Sequence, residues 1–317
     1  MTRRAAIAVA AAVAVIVGAA APGASAQAPA TPAFAAPQAV RAPMMAVARA
    51  GKRLVAVGDF GTALLSDDDG RSWRQAARMP TREMLTATSF IDDRRGWAVG
   101  HGGIVLATGD GGETWEQRYA AGKDVVLFSV RFADAARGLA VGAFGHAMET
   151  RDGGRSWRRF AVAQGEQGDR HLYHIFGGDA ALWITAEAGA VFRSTDGGAS
   201  FSAQPLPYKG SIWCGLVLRD GSVLLAGMRG HVLHSADQGR TWREAASGTD
   251  QALTAALQRE SGEIVLAGLG GAVLRSRDGG RTFSARVRPE RQSHTALIEA
   301  GGALHSFSLA GVSGSIP

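Results

Sequence analysis

From residue 44 onward, apolar residues come in short runs of four to seven, cut by glycine-rich and charged turns at almost even intervals. The stretch 84–118 shows the unit: "MLTATSF", "GWAVG", "IVLAT" and "TWEQR" read as four consecutive strands. "GWAVG" and "IVLAT" are almost wholly apolar, whereas "MLTATSF" and "TWEQR" mix apolar and polar residues. No run in this part of the chain has the 3.6-residue period of an amphipathic helix.

The turns repeat as well. An eight-residue box joins the third strand to the fourth six times: "SDDDGRSW" at Ser66, "TGDGGETW" at Thr108, "TRDGGRSW" at Thr150, "STDGGASF" at Ser194, "SADQGRTW" at Ser235 and "SRDGGRTF" at Ser276. Its aspartates, Asp68, Asp110, Asp152, Asp196, Asp237 and Asp278, are spaced 42, 42, 44, 41 and 41 residues apart. A G-x-x-G hairpin joins strands two and three at Gly58/Gly61, Gly100/Gly103, Gly142/Gly145, Gly227/Gly230 and Gly268/Gly271, with Ala186 ahead of Gly189 in the fourth repeat. Both glycines are expected to use positive φ. Length alone suggests two domains, but a period near 42 with four short strands per unit predicts one all-β, multi-bladed propeller.

Each box residue has a structural task. The aspartate can accept backbone N–H groups of its turn, the glycine can turn left-handed, and Trp73, Trp115, Trp157, Phe201, Trp242 and Phe283 carry apolar area to pack between layers. The six boxes are read as staples of the fold. A calcium site at Asp67/Asp68/Asp69 is set aside, because the other boxes lack the added carboxylates a hard cation needs. After the sixth box, "HTALIEA" and "LHSFSLAG" match first and second strands, and Gly311-x-x-Gly314 falls 43 residues after Gly271. This predicts seven blades, with the alternative of six blades and a C-terminal extension.

The first 26 residues differ in kind. Arg3 and Arg4 precede an apolar run, Ala5–Ala21, then Pro22-Gly23 and the small-x-small pattern Ala24-Ser25-Ala26. This predicts a cleaved signal peptide over 1–26 and an extracytoplasmic or periplasmic location for the remainder. Residues 27–43, "QAPATPAFAAPQAVRAP", read as an Ala/Pro-rich linker that could supply a ring-closing strand, leaving 44–317 as the propeller. Losing Arg3 and Arg4 lowers the formal net charge from +6 to +4, too weak to imply nucleic acid and compatible with a peripheral membrane contact. A single cysteine, Cys214, excludes an intrachain disulfide and reads as a buried apolar group.

The boxes are similar to the Asp-box (BNR) repeats of bacterial sialidases. The fuller pattern G-x-x-G-x-x-L-x-[ST]-x-D-x-G-x-[ST]-W at this spacing resembles the photosystem II stability/assembly factor family. That resemblance covers roughly 44–314 and implies a seven-bladed propeller without enzymatic activity or cofactor. It also implies help in assembling a membrane protein complex from the extracytoplasmic side, either photosystem-like or an RND/MMPL-type transporter; the family's role in photosynthesis does not transfer automatically. The sialidase likeness supports an alternative, a glycoside hydrolase or glycan-binding propeller. Such enzymes use a tyrosine nucleophile and three arginines, and this chain has three tyrosines: Tyr119, Tyr173 and Tyr208. Tyr208 and Glu187 are expected on one face, while Arg41 in "VRAP" poorly matches the family's Arg-Ile-Pro.

Positions that vary inside a repeated hairpin are not set by the repeat. Phe60, Phe144, Met228 and Arg229 are therefore candidate partner contacts, being types enriched at interfaces. A second candidate is a basic girdle on the box face, from Arg71, Arg155, Arg240 and Arg281 with Arg74, Arg158 and Arg243. Its bland reading is solvated arginines whose stems cover the tryptophans. No catalytic residue, metal or cofactor is called for: His171 and His174 are three apart on one strand and point to opposite faces. A monomer is expected.

Overall fold

The computed structural model describes residues 38–316. Seven antiparallel sheets follow one another along the chain, six of four strands and a last of three. In blade 1 the strands are Met44–Ala50, Arg53–Gly58, Ala63–Ser66 and Arg74–Gln75, each paired with the next. The unit read from 84–118 becomes Leu85–Phe90, Gly96–Gly100, Ile104–Thr108 and Glu116–Ala120. Trp115 lies just before the fourth strand because its indole N–H is turned back onto the Gly112 carbonyl at 2.9 Å. The seven-bladed reading holds, and the six-blade alternative does not.

The core lies between blades. Val55, Val57 and Leu65 of blade 1 pack with Leu85, Ala98, Leu106 and Trp115 of blade 2, and six further clusters join each blade to the next around the ring. Second strands such as Gly96–Gly100 and Val223–Gly227 are buried at every position, which is why they read as unbroken apolar runs. Blade 7 closes on blade 1 through Phe307, Ile298 and Ala300 against Met44, Leu54 and Leu64, with Trp73 edge-on to Phe307 at 5.4 Å. Thr295 Oγ1 also donates to the Met44 carbonyl at 2.5 Å.

The six boxes share one geometry. In blade 3, Thr150 Oγ1 and the Ser156 N–H donate to Asp152 Oδ1 at 2.9 Å, and Ser156 Oγ donates to Oδ2 at 2.6 Å. The Gly154 N–H donates to Thr150 Oγ1 at 2.9 Å. The same bonds recur at Asp68, Asp110, Asp196, Asp237 and Asp278. Each box is also an inter-blade contact. A side chain at Gly239 of blade 5 would strike Trp183 of blade 4, and one at Gly70 of blade 1 would strike His305 of blade 7. Asp152→Ala removes the acceptor of Thr150, Arg155 and Ser156 at once. By analogy with losing a helix cap, it is expected to cost about 1–2 kcal/mol, a drop of roughly 2–6 °C in Tm by thermal melt.

The hairpins and the last blade need corrections. The first glycine of G-x-x-G is extended, φ −171° at Gly58, and is required because a Cβ there would lie 2.0 Å from the Pro43 carbonyl oxygen. Positive φ falls at the last glycine, +65° at Gly61, and at the residue before it. In blade 7, Gly311 and Gly314 belong to the third strand, Gly311–Ile316; the preceding turn is Leu309-Ala310. Among the described residues that blade has three strands, His294–Ala300, Ala303–Ser308 and Gly311–Ile316.

Of the expected linker, Ala39–Arg41 forms a 3-10 turn instead of a strand, and residues 1–37, with the expected signal peptide, lie outside the described residues. A Cβ on Gly311 would meet the Val40 carbonyl, as one on Gly61 would meet that of Thr81. Val40 thus takes the place of the loop that elsewhere follows a fourth strand. The free edge of Gly311–Ile316 has no partner strand among the described residues. A chain begun at Gln38 is expected to melt several degrees below one begun at Gln27, and equal melts would remove residues 27–37 from ring closure.

Candidate functional site

The hairpins between second and third strands crowd one face of the ring together with the loops joining blades, as Gly61 against Thr81, Gly189 against Tyr208 and Gly230 against Thr249 attest. The residue before the last hairpin glycine is left-handed in every four-stranded blade. It is glycine in two of them, Gly102 and Gly270, and elsewhere Phe60 (φ 50°), Phe144 (52°), Ala188 (55°) and Arg229 (54°). A bulky residue in this region is strained by about 1–2 kcal/mol, and nothing in the ring demands a ring-bearing side chain there. Yet Phe60 and Phe144 are 67% and 71% exposed, and Met228 beside Arg229 is 38% exposed. The phenylalanines do not fold back into their blades.

Phe144 leads toward the central channel. Its ring stands edge-on to His171 at 4.6 Å, and its N–H donates to His171 Nδ1 at 3.0 Å. His171 lies near Phe128 and Tyr173, whose rings are stacked 5.9 Å apart. The channel mouth is built by a bulge: every first strand shifts register at its second residue. A bulge re-aims one side chain, here toward the channel. Blades 3, 4 and 5 place Phe128, Tyr173 and Trp213 there, against Met45, Thr86, Thr254 and Thr295 in the others. The channel below has a volume of about 390 Å³. Sequence reasoning missed this arc, although aligning first strands on the period would have exposed the column Met, Thr, Phe, Tyr, Trp, Thr, Thr.

The hydrolase candidates are placed differently. Tyr208 and Glu187 do share the hairpin face, but the Tyr208 hydroxyl donates to the Met228 carbonyl at 3.2 Å and its ring stacks on His231. Burial raises its pKa, opposite to what an activated nucleophile needs. Glu187 accepts the His171 N–H at 3.1 Å. The two histidines do not share a strand: His171 lies just before strand Leu172–Gly177, at the channel mouth, while His174, within it, faces the channel wall. Among the described residues no group of three His, Cys, Asp or Glu is placed to hold a metal.

On the opposite face the proposed girdle is interrupted. Arg74 is held by Glu113 at 2.6 Å and by Asp67 at 3.3 Å, and Arg158 by Glu149 at 2.5 Å. Arg155 bonds the carbonyl of its own Asp152 at 3.0 Å. Arg71, Arg240, Arg243 and Arg281 are exposed, but each box arginine stands beside an ionised box aspartate, so the face is mixed in sign. Cys214 is buried in a blade interface, and burial pushes its thiol up to about 12. It is an inert packing group.

The fold and its faces define a seven-bladed β-propeller of Asp-box type. The sequence profile of the family described as "Photosynthesis system II assembly factor YCF48" matches residues 73–213. Among solved structures, YCF48 bound to a D1 peptide superposes with a TM-score of 0.71 at 18% identity, over 86% of this chain and 92% of that one. YCF48 from Cyanidioschyzon merolae gives 0.68 at 16%, over 86% and 94%. The chain is a YCF48-like β-propeller. Virginiamycin B lyase from Staphylococcus aureus is similar in fold alone, with a TM-score of 0.74 at 10% identity over 90% and 97%. No curated protein sequence matches the chain.

Proposed function

We propose that this protein is an exported, non-enzymatic binding platform that aids assembly or stability of a membrane protein complex. In this reading it acts as a monomer, gripping an extended peptide segment of its partner with the hairpin face. The observation that carries the reading is the pair of exposed phenylalanines, Phe60 and Phe144, each kept in a strained left-handed backbone. Strain retained at an exposed aromatic is explained by a contact that the folded monomer lacks. The arc of Phe128, Tyr173 and Trp213 continues that surface inward, and Met228 and Arg229 extend it on blade 5.

A solved YCF48 of this fold carries a D1 peptide, which supports a peptide as the ligand class. The complex is photosystem-like in a photosynthetic host and an RND/MMPL-type transporter otherwise. Export rests on the sequence of residues 1–26. A secondary, peripheral membrane contact through Arg71, Arg155 and Arg240 is part of the same reading. The test is crosslinking in intact cells, affinity capture of the tagged protein and identification of what is recovered. One membrane complex is expected. Recovery of the protein alone, together with cleavage of a sialoside substrate, would replace the platform with the hydrolase.

A further inference from the structure

On the face opposite the hairpins, Arg131 departs from the repeat. Its register equivalents are Ala48, Ser89, Phe176, Leu216, Leu257 and Ile298, each opposite the same position of a second strand. Blade 3 alone sets a cation there, with Arg131 opposite Leu139. The neighbouring blade departs in the same way: His174 occupies a position held by Ala46, Ala87, Ser129, Cys214, Ala255 and Ala296. His174 accepts the Gly215 N–H of the next blade, whereas Arg131 makes no such bond.

Arg131 is half-buried and has no hydrogen-bond or ion-pair partner among the described residues. Among the described residues, the other half-buried arginines are all engaged. Arg53, Arg259, Arg275 and Arg288 hold carboxylates, and Arg170 and Arg193 donate to oxygen acceptors. For Arg131 the structure gives neither hydrogen bond nor ion pair. Burial lowers its pKa, opposed by Asp179, which stands outside ion-pair distance on the rim. The guanidinium lies against the first turn of blade 4, 3.8 Å from where a Cβ on Gly178 would be.

Arg131 and His174 line a cavity of about 590 Å³ walled by Phe176, Trp183, Val217 and Gln238, and both residues also border the central channel. His174 stacks on Phe176, and its Nδ1 accepts the Gly215 N–H at 3.3 Å, which puts the ring proton on Nε2. Burial brings its pKa down to about 4, so at neutral pH Arg131 is the one cation of the pocket. Gln238, on the same wall, is left-handed at φ 58° where four of the other boxes have glycine. A lone guanidinium over aromatic and aliphatic walls suits a planar monoanion with an apolar body.

We infer that the cavity between blades 4 and 5 binds a small carboxylic acid, its carboxylate on Arg131 and its apolar body along Phe176 and Val217. A phosphate dianion fits worse, since no second cation meets it.

The test is calorimetric titration of the purified protein at neutral pH with 3-phenylpropionate, 3-phenylpropanol and inorganic phosphate. Saturable binding of the carboxylate alone is expected. Arg131→Met weakens it about tenfold or more while holding or raising the melting temperature, because an unpaired half-buried charge is removed. Asp179→Asn, which relieves a competing carboxylate, tightens it severalfold and reports on the site even should Arg131→Met fold poorly. No saturable heat with the carboxylate, equal binding by the alcohol or phosphate, or an Arg131→Met protein that binds as well as wild type overturns the assignment. The Phe60 and Phe144 variants leave this binding unchanged, so its failure does not bear on the peptide platform.

Discussion

Replacing Phe60 and Phe144 together with glycine is expected to raise the melting temperature and abolish partner capture. Both residues have φ near 50°, a region that costs an L-residue with a bulky side chain about 1–2 kcal/mol. Glycine takes that conformation freely, though its larger unfolded-state entropy returns up to about 1 kcal/mol. A net gain of several tenths of a kcal/mol per site remains, about 1–3 °C in Tm for both in a domain of this size. Neither ring is part of any interblade core cluster, and the edge-on contact of Phe144 with His171 is the ring contact given up. At an interface, each truncated aromatic anchor costs about 2 kcal/mol, roughly thirtyfold in affinity.

The serine variants separate the two effects. Phe60→Ser with Phe144→Ser removes the rings but leaves an L-residue in left-handed backbone, so capture falls without the gain in stability. Undiminished capture by either double variant would clear the hairpin face of a binding role. A protein gaining stability when it loses function is the expected mark of strain retained for binding.

How far the chain was legible follows from what sets each feature. The box aspartates and their 42-residue period revealed the blades, because a turn that bonds its own backbone has the same answer in every repeat. "GWAVG" was legible as a second strand because burial on both faces leaves it no polar position. The sign of φ at Phe60 was not legible. It is imposed where Gly61 meets the Thr81 carbonyl across the blade, and the local sequence offers a phenylalanine that prefers otherwise. Gly311 was misread for the same reason: its glycine is required by Val40, from the far end of the chain. The bulges that aim Phe128, Tyr173 and Trp213 inward leave no mark on hydropathy, since one unpaired residue per strand alters register alone. Arg131 was visible only against its six equivalents, a comparison that needs the strand register first.

Acid is expected to unfold the ring in two stages, and the repeat says why. Asp68, Asp152 and Asp237 are drawn down to about 2, first by a serine or threonine hydroxyl on Oδ2 and then by a backbone N–H on Oδ1. Asp196 and Asp278 are held lower still by the same bonds. In the unfolded chain these carboxylates return to ordinary values near 4, so below that pH the unfolded state binds protons the folded state refuses. Their contribution is complete above about pH 4 and disappears as pH falls through about 2. An earlier, shallower loss comes from histidines. Burial lowers the pKa of His146, His234 and His294, and takes His174 to about 4, so the unfolded state takes up protons first below about pH 6.5. Both groups act in one direction, and Tm should be level near neutrality, decline gently below pH 6.5 and drop steeply below pH 4. Asp152→Ala isolates the second stage. Its deficit against wild type should be full at pH 7, persist at pH 5 and close as pH approaches 2, where the wild-type carboxylate is itself protonated. A deficit that stays constant down to pH 2 would mean that Asp152 acts through packing, with its charge and the four bonds it accepts irrelevant to the staple.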